Sequence, residues 1–274
     1  LTKKDALLKN GQVTLKFLPR IKHGDLQFGN GYAERAKLIG RYFRAEFASL
    51  KAEIEQPKYF REKLIYNYIY KGPLLEWYMR IKTSMEKNYK TFCELVPQQG
   101  KILDIGCGYG FMAYMLSFTS AQRKITGLDY DEEKIDTANN CFSKTNNINF
   151  VHGDVMGFEF EQYDAIIVAD MLHYLPPAEQ KQVIEKCISN LNPGGKLIIR
   201  DGDADKEAMH KKTKLTEFFS TKLFNFNKTK ETGLSFLSGT MIRNLAAEKN
   251  MDCSEMPDSK HTSNTLFILK ARAN

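Results

Sequence analysis

From Gly100 to the C-terminus the chain alternates two kinds of apolar pattern. Short runs dense in Ile, Leu, Val and Phe read as strands at 101–105, 124–129, 147–152, 163–169, 195–201, 251–256 and 264–271. Between them, helical spacing is predicted over about 109–119, 131–144, 177–190 and 238–249. Strands alternating with helices predict βαβ units and a mainly parallel sheet. Right-handed crossovers restrict this to a doubly wound α/β architecture.

The first hundred residues follow another pattern. Gln12–Pro19 alternates polar and apolar positions, as a half-buried strand does, and His23-Gly24-Asp25 and Gly29-Asn30-Gly31 are turn chemistry. From Tyr32 to Leu95 the periodicity predicts helices, interrupted at Pro57 and Gly72-Pro73. The segment Tyr66-Asn-Tyr-Ile-Tyr70, followed by Trp77-Tyr78, is dense in aromatics. Such rings form either packed core or a lid over a ligand. The expected division is a strand/turn segment at 1–30, a mainly helical extension at 31–96 and an α/β domain at 97–274.

Composition narrows the classes. No run approaches the 18 or so apolar residues of a membrane-spanning helix. Leu1-Thr2-Lys3-Lys4-Asp5 lacks the apolar run of a secretion signal, and the absent Met reads as a chain cut from something longer or trimmed after expression. The five cysteines are widely spaced without a CxxC, so neither a disulfide framework nor a metal site is expected, and reduced thiols on the cytoplasmic side are. The net charge of +7 is uneven: residues 1–100 hold 19 Lys and Arg against 10 Asp and Glu, whereas residues 101–274 hold 21 against 23. The basic N-terminal region suits an anionic membrane surface or a fused membrane protein, or is a solvated helical surface. A nucleic-acid partner is not expected, because the sheet half is slightly acidic and no RNA-binding module is appended.

Chemistry concentrates at predicted strand ends. Lys101-Ile-Leu-Asp104-Ile-Gly106-Cys107-Gly108-Tyr109-Gly110 runs from strand through glycines into a helix. The glycines permit a tight turn and close approach of a ligand to backbone amides. The spacing is G-x-G-x-G, not the G-x-G-x-x-G of a pyrophosphate site, and Asp104 suits a cationic ligand. Asp129, followed by Tyr130, closes the second strand and is placed to accept ribose hydroxyls, the alternative being a helix N-cap. Gly153, Asp154 and Val155 follow the third strand, where a carboxylate and apolar neighbours hold an adenine ring. Ala169 and Asp170 end the fourth strand at the ligand side of the sheet. His173 is the first candidate general base and Asp201 the second, against readings of a packing histidine and a capping aspartate. The stretch 205–237 carries Phe218, Phe219, Phe224, Phe226 and Phe236, and covers an acceptor pocket or packs as a subdomain.

Together these blocks resemble the class I S-adenosylmethionine (SAM)-dependent methyltransferases, over residues 70 to 274. The glycine loop matches Gly106–Gly110, the ribose acid Asp129, the adenine-side acid Asp154 and the L-x-P-G-G turn Leu191–Gly195. The resemblance implies SAM as cofactor, S-adenosylhomocysteine as product, and a Rossmann-like seven-stranded sheet whose last strand is antiparallel. Ala169-Asp-Met-Leu172 departs from the Asn/Asp-Pro-Pro-aromatic block of amino-methylating DNA enzymes and argues against base methylation. Val13–Ile21 with the Tyr/Arg-rich helix after it resembles the tail of a phospholipid-type acyltransferase. The whole is similar to the end of bacterial exporter/acyltransferase/methyltransferase fusions of aryl polyene (flexirubin-type) pathways. That resemblance implies a lipid-linked aromatic acceptor and tethering at the cytoplasmic face of the inner membrane. No H-x-x-x-x-D motif is present, so acyl transfer is not expected. Competing readings are an RNA or protein methyltransferase and a non-catalytic cofactor-binding module.

Overall fold

The computed structural model describes residues 13–22, 24–85, 88–206, 235–258 and 264–271. The chain forms two compact units, Leu1–Gln56 and Pro57–Asn274. In the first, residues 13–22 form no strand, although their sequence alternates. Alternation makes a strand only where a neighbour completes the hydrogen-bond ladder, and Val13, Leu15 and Phe17 stand in solvent instead. A helix follows, α1 (Tyr32–Ile54).

The second unit opens with α2 (Pro57–Tyr66), α3 (Pro73–Met85) and α4 (Tyr89–Leu95). Pro57 and Pro73 are each the first helical residue, where the missing N–H costs nothing. Seven strands follow: β1 (Gly100–Ile105), β2 (Arg123–Asp129), β3 (Ile148–His152), β4 (Tyr163–Ala169), β5 (Leu191–Gly202), β6 (Met251–Pro257) and β7 (Asn264–Ala271). They pair in the order β3-β2-β1-β4-β5-β7-β6, with β7 antiparallel to both neighbours. This is the expected Rossmann-like seven-stranded sheet behind a helical N-terminal extension. The order reverses between β1 and β4, the switch point where open α/β sheets bind ligands.

Alternate strand residues feed two cores. Ile102, Ile125, Ile148 and Ile167 pack with α5 (Phe111–Thr119) and α6 (Glu132–Asn139). Leu103, Ile105, Leu128 and Ile166 pack with α7 (Pro177–Ser189) and α8 (Gly239–Glu248). The helices expected as an extension up to residue 96 join the first core from Pro57 onward, since Phe60, Leu64, Tyr68, Met79 and Phe92 share it with Phe111 and Tyr114. Other boundaries shift for local reasons. The helix expected to reach 144 stops at Asn139, with Asn140 as its C-cap, whose backbone N–H and side-chain amide both donate to the Asp136 carbonyl. β5 begins at Leu191 rather than 195: Tyr163 pairs with Leu191 and Ala165 with Lys196, so the Asn-Pro-Gly-Gly turn loops out of a strand that then resumes.

Arg123, at the start of β2, is fully buried. Its guanidinium donates to the carbonyls of Pro97 (2.8 Å), Leu116 (2.8 Å), Cys93 (3.0 Å) and Val96 (3.1 Å) and to Thr119 Oγ1 (2.7 Å). It therefore collects the C-terminal carbonyls of α4 and α5, whose dipole ends favour a cation. Replacing it with Met leaves these acceptors unpaired. Arg123→Met is expected to lower unfolding free energy by about 3 kcal/mol or more, read from urea denaturation. A loss below about 1 kcal/mol contradicts this role.

Candidate active site

The loop Gly106–Gly110 lies at the C-terminal ends of β1 and β2, with Gly106, Gly108 and Gly110 at φ of 73°, 53° and 77°. Only glycine holds such angles without strain, and two positions also lack room. A Cβ on Gly106 would stand 2.7 Å from Met171 Cβ, and one on Gly110 would strike the Phe150 ring. Gly106 N and Cys107 N both donate to the Leu128 carbonyl, at 2.8 and 3.1 Å. Gly108 N donates to Asp129 Oδ2 at 2.7 Å, and Asp131 N to Asp129 Oδ1 at 2.9 Å. The N-cap of α6 is Asp131, whose carboxylate accepts from Glu133 N and Lys134 N. Asp129 therefore ends the strand and braces the glycine loop rather than capping a helix.

Asp104 faces this loop from β1. It is 3 % exposed, and its Oδ2 has no hydrogen-bond partner among the described residues. Burial, with the charge of Asp129 second, pushes its pKa up from 3.8 to about 7. A buried carboxylate with an unpaired oxygen beside a second carboxylate calls for a cation.

Around this pair, Tyr130 is half exposed, and burial together with Asp129 and Asp131 pushes its hydroxyl pKa up to about 12. Gly153 N donates to the Asp129 carbonyl at 2.9 Å, and the exposed Asp154 accepts from Met156 N at 2.9 Å. Val155, expected to pack on a ligand ring, is buried in the core on the α7 side. Ala169 packs against the first core. Asp170 has φ of 55°, an uncommon angle for a non-glycine residue. Its carboxylate is ion-paired with Arg200, which also reaches Asp258 at 2.8 Å.

His173 and Asp201 come together from the exits of adjacent strands β4 and β5. His173 Nδ1 lies 2.6 Å from Asp201 Oδ1, and His173 N donates to Asp201 Oδ2 at 3.3 Å. Both residues are buried. A carboxylate on Nδ1 assigns the ring proton there and leaves Nε2 as the basic nitrogen. Phe236 contributes a ring 6.3 Å from the His173 ring, while the remaining phenylalanines of the predicted insertion lie outside the described residues. Asp203, two residues beyond Asp201, accepts from Gly239 N at the start of α8, whose N-cap is Ser238.

Several site residues lack a motif. Tyr68 is fully buried, and its hydroxyl donates to the Tyr109 carbonyl inside the glycine loop at 2.7 Å. Tyr70 reaches the Thr137 carbonyl on α6 at 2.7 Å. Lys134 lies 5.8 Å from the Tyr109 ring centroid, its pKa lowered by burial against the opposing charges of Asp129 and Asp131. The aromatic density of 66–78 was the available signal for the two tyrosines, and nothing comparable marked Lys134.

A carboxyl raised on folding costs stability only when it ionises. The cost of Asp104 is absent below about pH 4, grows through its folded pKa of about 7, and reaches up to about 4 kcal/mol above it. Asp104→Asn is therefore expected to melt higher than the parent protein at pH 8, with the difference closing toward pH 4. A pH-independent difference rules out the buried-carboxylate assignment.

The family described as "Methyltransferase domain" matches residues 102–195. A carboxy-S-adenosyl-L-methionine synthase of Campylobacter fetus is 28 % identical over 102 residues, covering 37 % of this chain and 44 % of the relative. A ubiquinone biosynthesis O-methyltransferase of Shewanella halifaxensis is 32 % identical over 99 residues, covering 35 % and 40 %. This chain thus spans less than half the length of these curated relatives. An O-methyltransferase family protein from Burkholderia thailandensis superimposes with a TM-score of 0.55 at 17 % identity, over 78 % of this chain and 59 % of the other. Human N-acetylserotonin methyltransferase, solved in complex with SAM, gives 0.53 at 19 % identity, over 76 % and 59 %. These two likenesses establish the fold alone. Motif, sheet order and family match agree: residues 102–195 match a methyltransferase domain, set in a Rossmann-like seven-stranded sheet of the class I methyltransferase type.

Proposed function

We propose that this chain binds SAM at the β1–β2 end of the sheet and catalyses methyl transfer to a small-molecule or lipid-linked aromatic acceptor. The observation that carries the cofactor assignment is the buried Asp104 oxygen without a partner among the described residues, beside the glycine loop Gly106–Gly110. When bound, SAM supplies a methyl group on a sulfonium, already activated for displacement. Asp104 accepts from the ammonium of the methionine moiety. Asp129 keeps acceptor capacity for ribose hydroxyls besides its two backbone bonds. The turn at Asp154 lies where the adenine edge is expected. His173 holds its Nδ1 proton against Asp201, so Nε2 takes the proton of a phenolic acceptor, and burial keeps the imidazole dry.

The acceptor class rests on the resemblance to aryl polyene fusion proteins, with the relative named for ubiquinone biosynthesis beside it. The same resemblance supports a position at the cytoplasmic membrane face as part of this reading. A second reading follows from the carboxy-S-adenosyl-L-methionine synthase match: the domain serves a reaction on the cofactor itself. Product identity separates the two, because methyl transfer yields S-adenosylhomocysteine and a methylated acceptor and the alternative yields neither.

The test uses SAM labelled in its methyl group with phenolic polyene precursors as acceptors. His173→Ala and Asp201→Asn are expected to lower kcat by about 100-fold or more with little change in SAM affinity. Undiminished turnover in both variants would leave the dyad a structural pair. A wild-type protein that forms no labelled aromatic product excludes this acceptor class.

A further inference from the structure

The first unit contains almost no core. Among its described residues only Phe28 is buried, and the 23-residue α1 buries none. Yet α1 is not polar all round. Tyr32, Ala36, Phe43, Phe47, Leu50 and Ile54 recur at intervals that place them on one stripe. Tyr32 is 91 % exposed, Phe43 50 % and Phe47 68 %. Upstream, Val13, Leu15 and Phe17 are exposed as well, outside any helix. Self-contained surfaces rarely leave an apolar stripe of this length in water.

Charge indicates what covers it. Lys37, Arg44 and Lys51 follow at seven-residue spacing along one flank of the stripe. On the other flank Glu46 is held by Lys16 at 2.8 Å. Residues 13–56 hold eight Lys and Arg against five Asp and Glu. Aromatic side chains beside cations match the boundary between acyl chains and phosphate headgroups. A partner helix would use only the α1 seam, whereas a bilayer also takes Val13, Leu15 and Phe17.

We propose that residues 13–54 form an interfacial segment that docks this protein on an anionic lipid bilayer, with Phe43 and Phe47 entering the acyl boundary and Lys37, Arg44 and Lys51 meeting the headgroups. The assignment uses no residue of the cofactor cleft and stands whether or not the methyltransferase reading holds.

Flotation of the full chain with vesicles tests it, using phosphatidylcholine alone and phosphatidylcholine mixed with phosphatidylglycerol. Binding is expected only with phosphatidylglycerol, and to weaken as salt is raised. Phe43→Glu/Phe47→Glu and, separately, Lys37→Glu/Arg44→Glu are expected to weaken it by about tenfold or more. Melting temperature and SAM affinity stay unchanged in both double variants, since the altered side chains are exposed. Absence of flotation with phosphatidylglycerol, or flotation undiminished in both variants, overturns the proposal. Self-association lost in the phenylalanine variant, without vesicle binding by the parent, also overturns it and assigns the stripe to a second copy.

Discussion

Asp104 and Asp129 end neighbouring parallel strands, and both are buried where the chain turns over them through Gly106–Gly110. The arrangement is costly without a cation. Asp104 keeps an oxygen unpaired, and its pKa rises to about 7 under burial and the field of Asp129. The rest of the domain holds this pair in place. The Leu128 carbonyl and the Asp129 carboxylate fix the loop from β2, Met171 closes on Gly106 from β4, and Phe150 closes on Gly110 from β3. Strain kept at such a point is a common mark of a binding site.

Support comes from the helical layer as much as from the sheet. Tyr68 and Tyr70 anchor the turn after α2 to the glycine loop and to α6, so the segment that reads as a lid or core is a strut packed against the loop. On the opposite core, His173 and Asp201 are joined only because β4 and β5 are neighbours. Arg200 links Asp170 to Asp258 and ties the exit of β4 to the end of β6.

Strand ends were legible because apolar runs stop at Asp104, Asp129, His152 and Ala169, and parallel topology puts those ends on one side. The seven strands and the antiparallel last strand came with the family resemblance, and the structure bears them out; the strand order emerges from the structure alone. What pattern reading missed depends on distant partners. Arg123 looks like one more charged residue until α4 and α5 converge on it. Tyr68 is one of several tyrosines until its hydroxyl meets the Tyr109 carbonyl 41 positions away. The strand expected at 12–19 failed for the converse reason: its alternation was real, but strand pairing is a tertiary property. Val155 was likewise assigned by neighbourhood in sequence, whereas its side chain turns into the core.

On the proposed reading, the two carboxylates and the glycine loop form a SAM site. Titration calorimetry of the full chain with SAM at pH 6 and pH 8, beside Asp129→Ala, tests it most directly. Binding is expected to tighten toward pH 8, as Asp104 sheds its proton, and Asp129→Ala to weaken it by about tenfold or more, about 1.4 kcal/mol. Absence of binding by the parent protein, or affinity indifferent to both pH and Asp129, contradicts it.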